Sequence, residues 1–300
     1  MNKEERVFGV LNSGGYSVSE TDSVAEPVST DHISTSQDLS RLEKFICDLR
    51  EGLGSYSVWT ILGWYDIRQR YRRSTIGPLW ITLSLAITVA AMGVLYGKLF
   101  HQEIHSYLPY LTSGMVIWSL VSSTITESTN VFVAAGGIIQ QIRLPLSLHV
   151  LRMIVRNLVI FGHNMLVVVA MTFLFHVSIG WSILLFPLAL LLFAVNALWV
   201  GLILGALCAR YRDVAQIITS LVQILFFLTP VMWRPESLGS HAWVSNLNPL
   251  TPFFDILRDP LLGSFSPLFS WFYVLGVTVG GWIFTMVLFS KYRARVAYWV

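Results

Sequence analysis

GWYDIRQRYRRSTIGPLWITLSLAITVAAMGVLYGKLF, residues Gly63–Phe100, decides the fold. Its first half sets Arg68, Arg70, Arg72 and Arg73 among aromatic residues in an amphipathic stretch, a Gly77-Pro78 break follows, and the rest is apolar. About 20 mainly apolar residues cross the hydrocarbon core of a bilayer, so the second half reads as a span. Lys and Arg collect on the cytoplasmic side of such spans, so the arginines mark which end faces the cytoplasm.

Outward from this stretch the chain keeps the same character. Its 300 residues are 54% hydrophobic and only 12% charged, and the mean hydropathy is +0.63. A soluble domain carries about twice that charge. Ten of the seventeen acidic residues lie before residue 55, so the net charge of +3 understates how basic the remainder is. Those basic residues sit at the ends of apolar runs, a pattern of membrane orientation and not of nucleic-acid binding. Residues Met1–Ser40 are acidic and rich in Ser and Thr, without the apolar core of a signal peptide. Residues 1–55 are expected to form a disordered acidic extension, and residues 56–300 the membrane domain.

Six runs approach the spanning length: Leu79–Phe100, Leu108–Thr126, Leu158–Val177, Ile183–Cys208, Ile217–Trp233 and Leu268–Phe289. With six spans, twelve basic residues fall on one side: the four arginines above, Arg143, Arg152, Arg156, Arg210, Arg212, Lys291, Arg293 and Arg295. Only Lys98, Arg234 and Arg258 fall on the other. Both termini are therefore expected in the cytoplasm, and the fold class is all-α and integral to the membrane. Two segments are too polar or broken to cross. Val131–Arg156 is cytoplasmic, with Gly136-Gly137, Arg143-Leu144-Pro145-Leu146 and then apolar residues at helical spacing. Arg234–Pro267 is extracytoplasmic, with five prolines and short apolar patches that suit a pair of re-entrant helices, tolerated only inside protein or beside water.

Catalytic and metal chemistry is sparse. There is no phosphate-binding glycine loop, since Gly97-Lys98 is followed by Leu99. The seven histidines are scattered, and Cys47 and Cys208 lack metal-ligand company. Charged residues within membrane spans are the default functional candidates. Almost none lie deep here, which removes most support for proton- or sodium-coupled transport and calls for energy from elsewhere. Glu127 stands at the cytoplasmic end of the second span. Aromatic residues are many. Trp59, Trp64, Trp181, Trp243, Tyr292 and Trp299 suit the interfacial belt. Trp80, Tyr96, Trp118, Trp199, Phe226 and Phe227 lie within runs, where they either face lipid or offer flat faces to sugar rings in a passage.

Six stretches together resemble a known family. They are Asp66–Trp80, Glu127-Ser128-Thr129-Asn130 followed by Ile142–Leu146, Arg210–Val214, Leu228-Thr229-Pro230-Val231, and Asn248-Pro249-Leu250-Thr251-Pro252. In this order, over about residues 60–290, they resemble the membrane subunit of polysaccharide-exporting ABC transporters, the subgroup for O-antigen, capsule or teichoic-acid chains. The resemblance implies six spans, a homodimer and two copies of a separate ATPase subunit that holds ATP and Mg, with no cofactor in this chain. It implies a bacterial inner-membrane location, an amphipathic interface helix around Trp64–Arg73 and a coupling helix at about Gly137–Leu151. Glu127, Arg143, Leu144, Pro145 and Leu146 would transmit nucleotide-driven motion. Leu144 departs from the family, which often has an aromatic before that proline. Arg68, Arg70, Arg72 and Arg73 would either meet the pyrophosphate of an undecaprenyl-linked glycan or simply bind anionic lipid headgroups. Trp80, Tyr96, Trp118, Phe226 and Phe227 would line the channel, between the first and fifth spans. Two other functions compete: an ABC exporter of small lipophilic drugs, and a membrane glycosyltransferase or ligase, for which Glu236, Asp255 and Asp259 are the only candidate acids.

Overall fold

A computed structural model describes residues 40–300, apart from 71, 73–76, 78, 100–101, 237–238, 240–244 and 246. Among these residues the protein is helical and has no strand. The helices are α1 (Arg41–Gly54), α2 (Tyr56–Arg70), α3 (Leu79–Leu99), α4 (Ile104–Ser128), α5 (Val131–Ala134) and α6 (Gly136–Gln141). They continue with α7 (Leu146–Leu174), α8 (Phe186–Arg210), α9 (Asp213–Leu228), α10 (Thr251–Arg258) and α11 (Leu268–Trp299). Single 3₁₀ turns, Trp181–Leu185 and Asp259–Leu262, lead into α8 and out of α10.

Five helices are long and apolar enough to cross a membrane: α3, α4, α7, α8 with its leading turn, and α11. In α4, 72% of the most apolar window is buried, against 11–28% in the others, so α4 is the axis around which α3, α7, α8, α9 and α10 pack. That central helix is also the least apolar. Its hydroxyls bond back to its own carbonyls, Thr112 to Leu108, Thr126 to Ser122 and Ser128 to Thr124, at 2.6–2.7 Å. Satisfied in this way they sit inside the bundle, Thr112 and Ser128 fully buried, with their hydroxyls paired. Between α8 and α11, Asn196 donates to Thr278 Oγ1 at 2.7 Å and accepts from Trp199 Nε1 at 2.9 Å. The Trp199 ring fills the space left by Gly281, so this tryptophan serves helix packing.

The fifth expected span differs. The helix α9 has 16 residues, about 24 Å at 1.5 Å per residue, and stops at Leu228 instead of continuing to Trp233. Pro230 offers no N–H and the chain turns irregular there. Its freed carbonyls are taken up by neighbours. Tyr107 donates to Met232 O at 2.7 Å, Tyr110 to Pro230 O and Trp233 O at 3.1 Å, and buried Arg258 to Pro230 O at 2.7 Å. Gly114 on α4 admits this strand of backbone, since a Cβ there would lie 2.8 Å from Val231 O. Asn248 reaches across to Thr229 Oγ1 at 2.7 Å, so the Thr229-Pro230 and Asn248-Pro249 stretches form one unit.

Three boundaries from the sequence shift. The expected extension to residue 55 contains α1, opened by a capping box in which Ser40 Oγ accepts from Glu43 N–H and the Glu43 carboxylate accepts from Ser40 N–H. Residues 1–39 lie outside the described residues. The expected coupling helix 137–151 is broken at residues 142–145, where Ile142 and Pro145 are extended, and proline, without an N–H to donate, falls before the new helix and not inside it. The third span starts at Leu146, twelve residues before the expected Leu158, because the preceding helical stretch and the membrane stretch are one 29-residue helix.

Candidate functional site

The end of the bundle that carries the basic clusters holds a chain of charges across three helices. Asp66 and Arg70 are four residues apart on α2, and Arg152 and Arg156 four apart on α7, so each pair shares a helix face. Glu127 ends α4. Arg152 grips Asp66 with both Nε, at 2.8 Å from Oδ2, and Nη2, on Oδ1. Arg156 bridges the two acids, with Nη1 3.2 Å from Asp66 Oδ2 and Nη2 2.7 Å from Glu127 Oε2. Arg70 lies 3.5 Å from the other Glu127 oxygen. The order Arg152–Asp66–Arg156–Glu127–Arg70 alternates in sign, and its paired geometry is of the strong, directional kind. These five residues line a cavity of about 310 Å³ with Asn130, His149 and the α5 turn. Three guanidinium groups against two carboxylates leave its wall positive.

A second joint lies at the first turn of α7. Pro145 precedes that helix and has no side chain to cap it. Asp48 of α1 supplies the cap from a distance: its carboxylate accepts Leu146 N–H and Ser147 N–H, both at 3.0 Å. It also accepts Arg293 Nε of α11 at 2.7 Å. Ser147 Oγ returns a bond to Asp48 O at 2.8 Å. The Asp48 carboxylate is wholly buried. The face of α1 that carries Phe45, Asp48 and Gly52 is the packed face, and Gly52 lets α1 lie against Ser147. The cytoplasm-expected half of α7 is thus tied directly to α1, through Arg152 and Arg156 to α2 and α4, and through Asp48 to α11.

Of the residues proposed for coupling, Glu127 is within the network, Leu146 is buried and receives the Asp48 cap, Leu144 and Pro145 are half-buried, and Arg143 is exposed. Of the four arginines, Arg70 is tied to Glu127, Arg68 and Arg72 are exposed without an ion pair among the described residues, and Arg73 lies outside them. Among the aromatics, Trp118 and Phe226 sit 5.3 Å apart, Phe226 and Phe227 5.3 Å, and Trp118 also meets Phe254 at 6.2 Å. Trp80 is exposed and Tyr96 half-buried on α3, sixteen residues apart or about 24 Å along the axis, and neither enters that cluster's ring contacts. Asp48 was not picked out from the sequence, Asp66 entered only as the start of the Asp66–Trp80 resemblance, and Arg152, Arg156 and Arg293 served there only as topology markers.

At the opposite end the three candidate acids sit in different surroundings. The Asp255 carboxylate accepts from Ser270 at 2.8 Å and lies 3.9 Å from the Arg258 guanidinium, which stacks 4.3 Å from the Tyr110 ring centre. Glu236 is exposed. Burial pushes the Asp259 carboxyl up to about 6 against the opposing pull of Arg258. A carboxyl raised in this way favours the neutral form in the folded state, so its contribution to stability declines as pH rises from about 4 through 6. The advantage of Asp259→Asn over the parent should therefore be larger at pH 8 than at pH 4.5. Thermal unfolding at both pH values checks this, and a pH-independent difference would contradict it.

The profile of the family described as ABC-2 type transporter matches residues 57–262. The chain belongs to the ABC-2 type transporter family. It is a multi-pass membrane permease of an ABC exporter. Among its relatives, two from Klebsiella pneumoniae named O-antigen export system permease protein RfbA are 21% and 22% identical over 240 residues, 77% of this chain and 90% of theirs. A third of the same name, from Myxococcus xanthus, is 21% identical over 194 residues, 65% of this chain and 75% of its own. The matched ABC-2 region contains the whole Arg152–Asp66–Arg156–Glu127–Arg70 network. Asp48 and Arg293 fall outside it, one on each side.

Proposed function

We infer that this ABC-2 permease moves a lipid-linked polysaccharide, of the O-antigen or capsule kind, across the bacterial inner membrane. The observation that carries the reading is the similarity, over 77% of the chain, to proteins named O-antigen export permeases. The energy comes from ATP and Mg held by two partner ATPase subunits, and both termini of this chain face the cytoplasm. The working unit is a homodimer. An apolar stripe on α9, Ile217, Leu221, Ile224 and Leu228, is exposed at helical spacing, as are Leu83, Ile87 and Val94 on α3. These faces support a passage formed between the α3 and α9 helices of two copies.

The ATPases push on the exposed turn around Arg143, and the rigid cytoplasmic joint passes that push to α2, α4 and α7 together. Arg68, Arg72 and Arg73 present guanidinium groups to the pyrophosphate of an undecaprenyl-linked glycan, a match of planar donors to phosphate. Arg70 is occupied by Glu127 and acts in the joint instead. The Trp118–Phe226–Phe227 cluster offers ring faces along the path of the sugars.

The test is deletion of this chain in its source bacterium. Full-length lipid-linked glycan should accumulate on the cytoplasmic side, protected from an external glycosidase in spheroplasts, while surface glycan is lost. Glycan that fails to be made at all would point to a synthetic enzyme and refute export.

A further inference from the structure

Between α8 and α11, at the cytoplasmic end, lies an apolar groove of about 380 Å³. Ile203, Ala206 and Leu207 of α8 form one wall, and Phe284, Leu288 and Tyr292 of α11 the other. No acidic residue lines it. At its mouth the Arg210 guanidinium lies 5.1 Å from the Tyr211 ring centre and 5.3 Å from that of Trp299. Ring faces hold a cation in place without neutralising it. Arg210 is exposed and makes no ion pair among the described residues. A second cation is close, since the Lys291 ammonium lies 5.7 Å from the Tyr292 ring centre.

Depth gives the groove its meaning. Arg210 ends α8 at the membrane surface, and Ile203 is seven residues earlier, about 10 Å along the helix. Half of the hydrocarbon core is about 15 Å thick. A fixed cation thus stands at headgroup level, with a greasy slot beneath it running into the same leaflet. Apolar walls would accept any acyl chain. The unneutralised guanidinium and the lack of a carboxylate select a lipid whose headgroup carries net negative charge, as basic pockets between cytoplasmic helix ends do.

We propose that this groove seats an anionic glycerophospholipid of the cytoplasmic leaflet, its phosphate against Arg210 and an acyl chain between α8 and α11. The seat is independent of the cargo and stands whether or not the exported molecule is a glycan.

Native mass spectrometry of the delipidated full chain, titrated with phosphatidylglycerol and separately with phosphatidylethanolamine, tests it. The parent should hold phosphatidylglycerol more tightly than phosphatidylethanolamine. Arg210→Gln should weaken phosphatidylglycerol about fivefold and leave phosphatidylethanolamine unchanged, while Arg210→Lys should keep the preference. Leu207→Trp, which fills the slot, should weaken both lipids. Equal retention of the two lipids by the parent, or an unaltered preference in Arg210→Gln, would overturn the proposal. So would a Leu207→Trp variant that retains phosphatidylglycerol but loses a dimer on size-exclusion chromatography, because the groove would then be a contact between copies.

Discussion

Asp48→Ala will destabilise the protein by about 2–4 kcal/mol, the cost of a lost helix cap together with a lost charged hydrogen bond to the partly exposed Arg293. Two independent losses combine. The N-terminal N–H groups of α7 lose their acceptor, which alone costs about 1 kcal/mol for a missing cap, and Arg293 keeps its charge without a counterion. Asp48→Asn separates the two. It preserves the shape and one acceptor but not the charge, so it should fall between the parent and the alanine variant. Thermal unfolding of the detergent-purified chain, followed by tryptophan fluorescence, reads the global loss. Tryptic cleavage within α1, at Lys44 and Arg50, reads its release from α7 and should accelerate in the same order. An alanine variant that unfolds with the parent and resists trypsin equally would mean that α1 is held by Phe45 and its apolar neighbours alone.

The Asp48 joint also shows where reading the chain by itself runs out. The bilayer imposes length and apolarity locally, so Leu79–Leu99 and the α8 and α11 spans stand out from composition over a short window. The same holds for local chemistry: Ser40-Arg41-Leu42-Glu43 carries a capping-box pattern that marks the true start of α1, a signal the acidic surroundings masked. The joint has no such local trace. Asp48 meets Leu146 across 98 residues and Arg293 across 245, and Asp66 meets Arg152 across 86. Arg152 and Arg156 read equally well as topology markers, because positive-inside bias and pairing with a carboxylate draw on the same residue type. The early stop of α9 is a mixed case. Pro230 announces a break, but only the carbonyl partners Tyr107, Tyr110 and Arg258, from α4 and α10, make a short helix followed by irregular backbone affordable inside the bundle.

The second large effect belongs to the α2–α4–α7 network. Asp66→Asn leaves Arg152 and Arg156 facing each other without the acid that both of them grip, and should cost about 3 kcal/mol. Arg152→Gln should cost a similar amount, through the loss of a two-pronged bond. Because the two residues are direct partners, the costs will not add: Asp66→Asn with Arg152→Gln should be at least about 1 kcal/mol less damaging than the sum of the single variants. A thermodynamic cycle from denaturant or thermal unfolding measures this, and strict additivity would refute the pairing. The network reaches α4 through Glu127, which closes the chain from α7 and holds Arg70. Glu127→Gln keeps the shape and one acceptor for Arg156 while removing the charge, so it should loosen α4 from α7 with a smaller stability loss than Asp66→Asn. If the joint passes motion from the ATPases to the membrane helices, Glu127→Gln will lower transport per ATP hydrolysed in reconstituted vesicles, whereas a role in folding alone would lower the amount of active protein and leave that ratio unchanged.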